Sequence, residues 1–335
     1  MSQGSAEARA VGARSARWLA GPVAVRTPAT SANLGPGFDA LGLALSLHDE
    51  VRAEVIGEGL RIDVSGVGEK TARYGERHLV VRAMRAAFDA LGEQPPGIML
   101  RCVNAIPHGF GLGSSAAAIV AGVLAARALF GDGGRERLPD ETVLGLATGL
   151  EGHADNVAAC MAGGLTIAWD SADGPARRGE GRSVRSVRLE PLHQLTPVLC
   201  IPVVPLATEA ARRVLPRSVP HGDAAKNAAR SALLTAALIQ PSAAQDARLL
   251  LDATQDFLHQ PYRAGSMPAT AELVRALREA SVPAVVSGAG PAALALVLPG
   301  VTAGPDAVAA IAASSGHEWT VRVLDVDRVG AVVRS

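Results

Sequence analysis

A segment of alternating glycines, followed by an alanine-rich run, holds the residues of this sequence best suited to bind a charged group. Three glycines fall within five positions, which keeps side chains out of the way and lets backbone N–H groups point into one concavity. The helix predicted to follow begins with unpaired N–H donors and a partial positive charge. We therefore predict that the segment binds phosphate. It comprises Pro107, His108, Gly109, Phe110, Gly111, Leu112, Gly113, Ser114, Ser115, Ala116 and Ala117.

Two serines at the start of the predicted helix add hydroxyl groups to this site. Ser114 and Ser115 can cap the helix, and a hydroxyl there can also reach a phosphate or a magnesium ion. The segment is not a Walker A motif, because no lysine follows its last glycine, and its spacing does not fit a dinucleotide-binding fingerprint. Taken alone, a glycine loop before a helix is also compatible with a simple tight turn.

Strands and helices alternate around this segment without a strict strand–helix–strand rhythm, which predicts an α+β fold in two domains. Apolar runs and apolar residues at helical spacing indicate the elements. The predicted strands are 23–26, 41–56, 97–105, 163–169, 196–202, 284–287 and 293–297. The predicted helices are 78–91, 115–130, one with Asp140 as its N-cap, 207–215, 223–238 and 270–280.

Two stretches carry no apolar period. Residues 1–20 contain three arginines among small residues but lack the apolar core of a signal peptide, so we expect a disordered leader. Residues 170–186 are rich in Gly, Arg, Asp and Ser, which is typical of a linker or of a long hairpin loop.

Composition limits the classes of protein that this chain can represent. Its 335 residues suffice for one large domain or two of ordinary size, and 48% of them are apolar. The 32 basic and 32 acidic residues cancel, which argues against a general nucleic-acid binder. The three cysteines lie far apart without zinc-site spacing, so buried free thiols in a reducing cytoplasm are expected. No stretch of the sequence is typical of a transmembrane helix.

The run Gly-Leu-Gly-Ser-Ser-Ala-Ala resembles the phosphate-binding motif of the GHMP kinase superfamily. Two more small-residue loops match that superfamily in the right order, at residues 28–42 and at Ser287-Gly288-Ala289-Gly290-Pro291-Ala292. The resemblance implies the GHMP kinase fold: an N-terminal ATP-binding domain like ribosomal protein S5 domain 2 over residues 21–180, and a ferredoxin-like C-terminal domain over 181–335. It also implies ATP and Mg2+ as cofactors.

Within the superfamily, four segments resemble the homoserine kinase family. Residues 28–39 have the form P-x-T-S-A-N-L-G-x-G-F-D, and residues 151–158 resemble its E-G-H-x-D-N-x-A segment. Residues 221–230 and 260–263 resemble its H-x-D-x-x-x-N-x-x-R helix and its late arginine motif. This resemblance implies phosphorylation of the side-chain hydroxyl of L-homoserine in threonine biosynthesis. It also suggests a homodimer, with no nucleic-acid or membrane partner.

The same resemblance assigns roles to individual residues. Glu151 and Ser115 match the metal ligands of the family. The resemblance implies that Asp39, with Asn33 beside it, binds the amino group of the substrate. It implies that arginines bind the carboxylate, because their planar fork binds carboxylates at two points. These arginines are Arg212, which follows Thr208, and Arg263. Gly288 belongs to the third loop, at the substrate.

Around the reacting hydroxyl the resemblance implies that Asn156 orients the group and that the γ-phosphate itself accepts the proton. Asp155 stays open as an alternative base, and His153 is expected to pack or hydrogen-bond beside the substrate. The sequence also departs from the family pattern at two positions. Phe110 places a bulky ring in the phosphate loop, and Gly149 stands where related chains often have an acid.

Two other hypotheses stay open on the sequence. One is a superfamily kinase with a mevalonate-like or sugar-like acceptor, and the other is a catalytically silent binding protein on the same fold. Retention of Glu151 and of the Ser115 hydroxyl counts against the second. A nucleic-acid-binding role is disfavoured by the neutral charge and by an aromatic content of only 3%.

Overall fold

The computed structural model describes residues 18–171, 183–206, 208–241 and 246–334. Strands are numbered in chain order as β1 (Val23–Ala32), β2 (Leu41–Ile56), β3 (Gly59–Gly66), β4 (Gly97–Asn104), β5 (Leu165–Asp170), β6 (Val184–Leu189), β7 (Thr196–Pro202), β8 (Ala284–Val286), β9 (Ala293–Val297), β10 (Trp319–Val323) and β11 (Val332–Arg334). Helices are α1 (Leu79–Leu91), α2 (Ser114–Leu129), α3 (Gly134–Arg137), α4 (Asp140–Glu151), α5 (Asp155–Ala162), α6 (Thr208–Arg213), α7 (His221–Ile239), α8 (Ala247–Ala253), α9 (Gln260–Arg263), α10 (Pro268–Glu279) and α11 (Pro305–Ser314). Short 3-10 helices occur at Glu69–Arg77, Gly131–Gly133 and Ala264–Ser266.

The first sheet is organised by β2, which is long enough to pair with three other strands. β1 runs antiparallel to it, β5 pairs with its first residues, and β4 pairs with its second half. β3 lies parallel to β4, while β11 and β6 extend the sheet beside β1 and β5. Along β2 the buried Val51 and Ala53 flank the exposed Arg52, so one face packs on the core and the other meets solvent.

Helices α1, α2, α4 and α5 surround the core beside this sheet, and α2 is buried on most of its circumference. Small residues on α2 allow α1 to approach closely. A Cβ at Gly122 would lie 2.6 Å from the carbonyl oxygen of Val80, and 2.8 Å from the Cβ of Ala83. The alanine-rich composition of α2 therefore serves close packing and holds its first turn in a fixed place.

The second sheet is antiparallel, with the order β10-β7-β9-β8. Leu273 and Leu277 of α10 and Val308 of α11 pack in the cluster on one face. Residues facing the other side, such as Leu199 and Leu294, join the main core. The loops that carry the predicted sequence motifs thus meet between the two sheets, in a position to form one site.

Most predicted elements are confirmed, and the strands 41–56, 196–202 and 293–297 have the predicted bounds. The prediction of Asp140 as an N-cap is wrong, because Pro139 occupies that position and Asp140 instead accepts a hydrogen bond from Arg127 at 2.5 Å. Strands β5 and β6 pair antiparallel on either side of the segment predicted as a linker or a long hairpin loop, whose residues 172–182 lie outside the described chain.

Trp18 lies within the segment predicted as a leader, and its ring packs edge-on against Phe88 and Phe130 at 5.4 and 5.6 Å. Residues 1–17 lie outside the described chain. Among the described residues, no helix has both the length and the apolar content that a membrane crossing requires.

Candidate active site

The glycine segment forms a loop whose backbone turns three times through the left-handed region. Gly109, Gly111 and Gly113 have φ values of 81°, 74° and 68°, which residues with a Cβ rarely adopt. Side chains would also collide there, because a Cβ at Gly111 would overlap the carbonyl oxygen of Ser287. The glycines therefore serve both the backbone conformation and the close approach of the neighbouring loop.

Four successive carbonyl groups of the loop are held by donors from other segments. The carbonyls of Gly109 and Phe110 accept hydrogen bonds from Leu206 N at 2.9 Å and Ala292 N at 3.2 Å. Those of Gly111 and Leu112 accept from the Ser287 hydroxyl at 2.8 Å and from the backbone N–H of Thr30 at 3.0 Å. In the described part of the chain, the backbone N–H groups of residues 109–116 donate no hydrogen bond. These donors, next to the positive end of α2, suit a bound phosphate chain.

The side chains at the start of α2 differ from the predicted cap. Gly113 is the N-cap, and no side-chain hydrogen bond caps the helix. The hydroxyl of Ser115 instead donates to Oε2 of Glu151 at 2.6 Å, which joins the start of α2 to the end of α4. Burial raises the pKa of Glu151, against the opposing effect of this hydrogen bond. The carboxylate thus stands in a partly desolvated position where a cation would be favourable.

The donor set beside the loop fits magnesium. Among the described residues, no group of three or more His, Cys, Asp and Glu side chains is arranged to hold a metal ion by itself. Magnesium typically takes one or two protein oxygens and completes its shell with phosphate oxygens and water. The Glu151 carboxylate and the Ser115 hydroxyl, 2.6 Å apart beside the phosphate loop, are oxygen ligands of that kind.

Arg212 and Asp39 face each other on the opposite side of the same cavity. Arg212 donates from Nη2 to Oδ1 of Asp39 at 2.6 Å and from Nη1 to Oδ2 at 3.2 Å. Asn33 positions this acid, since its Oδ1 accepts from the backbone N–H of Asp39 at 2.9 Å and its Nδ2 donates to the carbonyl of Gly288 at 2.8 Å. Both pair members are about one-third exposed, with side-chain exposures of 37% and 38%, so an incoming ligand can reach them.

Arg263 is completely buried at the floor of the cavity and has no carboxylate within ion-pair distance among the described residues. Its Nε donates to the carbonyl of Ala211 at 3.1 Å, and its Nη1 lies 3.3 Å from the carbonyl of Gly288 and 3.0 Å from Nδ1 of His259. Its Nη2 is buried without a partner in the described chain. A buried cation held only by neutral acceptors calls for an anion.

The segment after α4 places a second set of polar groups at the cavity. Oδ1 of Asn156 accepts from the Thr30 hydroxyl at 2.7 Å, and its amide nitrogen, which makes one long hydrogen bond of 3.5 Å to Oδ1 of Asp155, has a second N–H for a ligand. Oδ1 of Asp155 accepts from the backbone N–H of Asn156 at 2.8 Å and lies 3.1 Å from Nδ1 of His153. Burial lowers the pKa of His153, but its hydrogen bond to Asp155 and the charge of that acid outweigh burial and leave the pKa raised.

These groups line one cavity of about 130 Å³. It brings together residues predicted from separate motifs: Asn33, Gly109, Gly111, Leu112, Gly113, Ser114, Ser115, Glu151, His153, Asp155, Asn156, Arg212, Arg263 and Gly288. Asp39 adjoins it through Arg212. Thr208 is the first residue of α6, and its side chain lies outside the described atoms.

The remaining predicted residues do not line this cavity. Phe110 packs against the main core, so its ring does not fill the phosphate loop. His108 and Ala117 line a second cavity of about 360 Å³, which shares Ser114 and Ser115 with the first. Pro107 begins the loop, and Ala116 is buried in the first turn of α2.

Sequence reasoning missed two contributors to the site. Thr30 was included in a motif without a role, yet it bonds both Leu112 and Asn156. His259 received no role from the sequence, yet it is fully buried against Arg263. Its position four residues before an arginine was the available signal, because a single helical turn brings such residues together.

Comparisons with known proteins agree with this geometry. The family model described as GHMP kinases N terminal domain matches residues 78–164, and that described as GHMP kinases C terminal matches residues 234–314. The fold and the site therefore define a kinase of the GHMP class, an ATP-dependent enzyme with an alcohol acceptor.

Individual relatives narrow this class. The homoserine kinase of Streptomyces coelicolor is 50% identical over 94% of this chain and 97% of its own length. That of Clavibacter michiganensis is 47% identical over 93% of this chain and 94% of its own. The crystal structure of homoserine kinase from Cytophaga hutchinsonii superposes with a TM-score of 0.72 at 26% identity, over 93% of this chain and 97% of that one. This chain belongs to the homoserine kinase family.

Proposed function

We propose that this protein transfers the γ-phosphate of ATP to the side-chain hydroxyl of L-homoserine. The observation that carries the proposal is the pairing, in one cavity, of a phosphate-binding loop with a buried arginine that has no carboxylate within ion-pair distance among the described residues. Nη2 of Arg263 is the unpaired donor, and Gly111 and Gly113 belong to the loop on the facing side. Membership of the homoserine kinase family supports the same substrate.

The nucleotide lies across the two connected cavities. Its phosphates take the free N–H groups of residues 109–116, and its nucleoside takes the cavity of about 360 Å³ that begins at Ser114 and Ser115. This larger cavity includes Thr27 and His78, each of which has a buried polar side-chain atom without a partner in the described chain. Such atoms suit the polar edges of a base or ribose.

The amino acid takes the charged groups on the other side of the loop. The carboxylate binds Nη2 of Arg263 and the guanidinium of Arg212, both of which donate strong charge-assisted hydrogen bonds. The ammonium group binds the carboxylate of Asp39. Because these charges are fixed around one small cavity, they select an acceptor that carries both signs over a neutral sugar.

Phosphoryl transfer then depends on position more than on a strong base. The amide of Asn156, held by Thr30, orients the substrate hydroxyl toward the γ-phosphate. The hydroxyl oxygen bonds to the γ-phosphorus as the bond to the bridging oxygen of ADP breaks, and the hydroxyl proton passes to the transferred phosphoryl group. Asp155 is engaged by His153 and by the Asn156 backbone, so we assign it an orienting role.

Glu151 and Ser115 are the residues that would hold Mg2+ in this arrangement. The ion would supply neutralisation of charge on the phosphate oxygens. Ser115 itself also orders Glu151, since the two side chains are already joined by a hydrogen bond of 2.6 Å.

The two sheets suggest how the chain divides. We place the ATP-binding unit on the first sheet and the second unit on β7 to β10. We move the boundary predicted at residue 180 to the end of β6, because β6 still pairs with β5. The final strand β11 returns to the first unit beside β1. We also place the reaction in the cytoplasm, in keeping with three buried free cysteines and the use of ATP. A homodimer stays a prediction.

The proposal is tested by following ADP release from ATP and Mg2+ with L-homoserine, L-serine, mevalonate and galactose supplied separately. Turnover that depends on L-homoserine is the expected result. Turnover with another alcohol alone would keep the kinase and overturn the substrate. Saturable nucleotide binding without turnover would favour a silent binding protein.

A further inference from the structure

His259 is a fully buried histidine that lies between the first motif loop and the substrate arginine. Its Nε2 lies 2.7 Å from the carbonyl oxygen of Gly35, and its Nδ1 lies 3.0 Å from Nη1 of Arg263. The ring of Phe38 stacks on it at a centroid distance of 5.2 Å. The imidazole is thus fixed at both nitrogens and on one face.

These contacts determine the tautomer of the ring. A carbonyl oxygen only accepts and a guanidinium only donates, so Nε2 must carry the proton and Nδ1 must be the acceptor. A protonated ring would turn an N–H toward the guanidinium and lose this bond. The arrangement therefore requires a neutral imidazole.

We propose that His259 is the positioning residue for Arg263: its neutral Nε2–H ring holds the guanidinium so that Nη2 faces the substrate cavity. The other two hydrogen bonds of the guanidinium, with Ala211 and Gly288, are to backbone carbonyls at 3.1 and 3.3 Å. Nη1 makes two hydrogen bonds, and the one to Nδ1 of His259 is the shorter. His259 is also the only side chain among the three acceptors. This inference rests on the proposed function, because it assigns Arg263 to the substrate carboxylate.

Burial of the ring favours its neutral form, whereas the charged groups around it act in both directions. Burial lowers the pKa of His259; the charge of Asp256 opposes this, and that of Arg263 adds to it. Asp256 lies 3.5 Å from Nε2, but its carboxylate already accepts from the backbone N–H groups of His259 and Gln260. The charge of Asp39 also raises the pKa of His259, and it is the smallest of these influences.

Two amide substitutions separate the two nitrogens. In His259→Asn the side-chain oxygen stands near the place of Nδ1 and can still accept from Arg263. In His259→Gln the amide nitrogen stands near the place of Nε2 and retains only the bond to Gly35. We expect the KM for L-homoserine to rise about tenfold or more in His259→Gln and to stay within about threefold in His259→Asn. The KM for ATP should change little in either.

The outcomes separate this inference from the proposed function. An unaltered protein that does not turn over L-homoserine overturns the proposed function. The unaltered protein can turn over L-homoserine while both variants keep its KM for L-homoserine or raise that KM equally. This result overturns the inference and leaves the proposed function standing. Thermal melting of each variant separates a loss of folding from a loss of binding.

A spectroscopic test applies even if neither variant folds. In the unaltered protein labelled with 15N-histidine, the ring at position 259 should show the neutral Nε2–H tautomer and should not titrate between about pH 5.5 and pH 8. Its signal would be assigned through its contacts with Phe38. A protonated ring or an Nδ1–H tautomer at that position would contradict the proposal.

Discussion

Arg212 and Asp39 form a two-point ion pair, with hydrogen bonds of 2.6 and 3.2 Å, at the edge of the cavity that holds the phosphate loop. In the proposed function, Arg212 binds the substrate carboxylate and Asp39 binds the substrate ammonium group, so the pair consists of two proposed substrate ligands. An amino acid presents a complement to each of them, an ammonium group for Asp39 and a carboxylate for Arg212. Substrate binding in this mode replaces the ion pair between Arg212 and Asp39 by two ion pairs with the substrate. A ligand must therefore carry both charges.

The first prediction concerns Arg212. Replacement by alanine should raise the KM for L-homoserine about 10- to 100-fold, because a hydrogen bond to a charged group is worth about 1.5–3 kcal/mol. The KM for ATP should change little. Steady-state kinetics with each substrate varied in turn provide the measurement.

The neighbouring Arg213 is the matched control for this change. It lies on the same helix, but its side chain is 73% exposed and, among the residues that the structure describes, pairs only with Glu209. Arg213→Ala should leave both KM values within about twofold and change stability by less than about 0.5 kcal/mol, as is usual for exposed pairs. Equal effects at the two arginines would show that the charge of the helix matters and the pair with Asp39 does not.

The second prediction concerns Arg263 and the geometry of its fork. Arg263→Lys keeps the positive charge but cannot hold Ala211, His259 and the substrate carboxylate at once. The KM for L-homoserine should therefore rise at least about tenfold. Arg275→Lys, at an exposed position of α10 paired with Glu279, is the control and should behave as the unaltered protein. An unchanged KM for L-homoserine in Arg263→Lys would contradict the requirement for a planar guanidinium at this position.

The third prediction is that the charge of Glu151 increases kcat and decreases the stability of the fold. Glu151→Gln keeps the shape but removes the charge, so kcat should fall about 100-fold or more, since neutralisation of phosphate charge by a metal is worth several kcal/mol. Because burial raises the pKa of this carboxyl, ionisation is easier in the unfolded chain. The unaltered protein should then lose stability as pH rises from near the unfolded pKa through the folded one.

Melting curves without Mg2+ test the sign of this effect. At about pH 8 the Glu151→Gln protein should melt at a higher temperature than the unaltered protein, and below about pH 4, where glutamates are largely protonated, the difference should vanish. A lower melting temperature for the variant across the whole range would mean that the carboxylate is stabilising and is not held at a cost.

The fourth prediction compares two glycines. Gly113→Ala places a Cβ on a backbone with φ of 68° and against the Thr30 hydroxyl that holds Asn156. We expect a loss of about 1–3 kcal/mol in stability and a higher KM for ATP. Gly149→Ala is the control, because a Cβ there meets nothing within 4 Å on helix α4. It should stabilise the protein by about 0.5–1 kcal/mol. A rise in the KM for ATP in both variants would remove the special role of Gly113.

Sequence patterns predicted most of the elements that carry strong apolar periodicity, but several elements were left unpredicted. Strand β3 alternates Leu60, Ile62 and Val64 with polar residues and was overlooked, whereas most of β6 is exposed and its apolar residues do not alternate. Helix α5 follows α4 after three residues, and its apolar residues did not distinguish it from its neighbours. These strands are fixed by pairing with distant partners, which a local pattern cannot show.

Most residues of the candidate site were predicted from the sequence, but the hydrogen bonds between them were not. The motif resemblance brought together Asn33, Arg212 and Glu151 from three regions of the chain. It did not show that Arg212 bonds Asp39, or that Ser115 bonds Glu151 and caps nothing. Such contacts depend on side-chain positions set by packing between the two sheets, and residues as distant as Asn33 and Gly288, 255 positions apart, contribute to one bond.

The central claim is that L-homoserine receives the γ-phosphate in the cavity between the glycine loop and Arg263. Phosphorus-31 NMR of a reaction with ATP, Mg2+ and L-homoserine tests it most directly, because it observes the product itself. We predict that O-phospho-L-homoserine and ADP form in equal amounts, and that product formation at low L-homoserine concentration is strongly reduced in Arg263→Lys. ADP formed with inorganic phosphate alone, or a phosphorylated product that appears at the same rate with the lysine variant, would contradict the account.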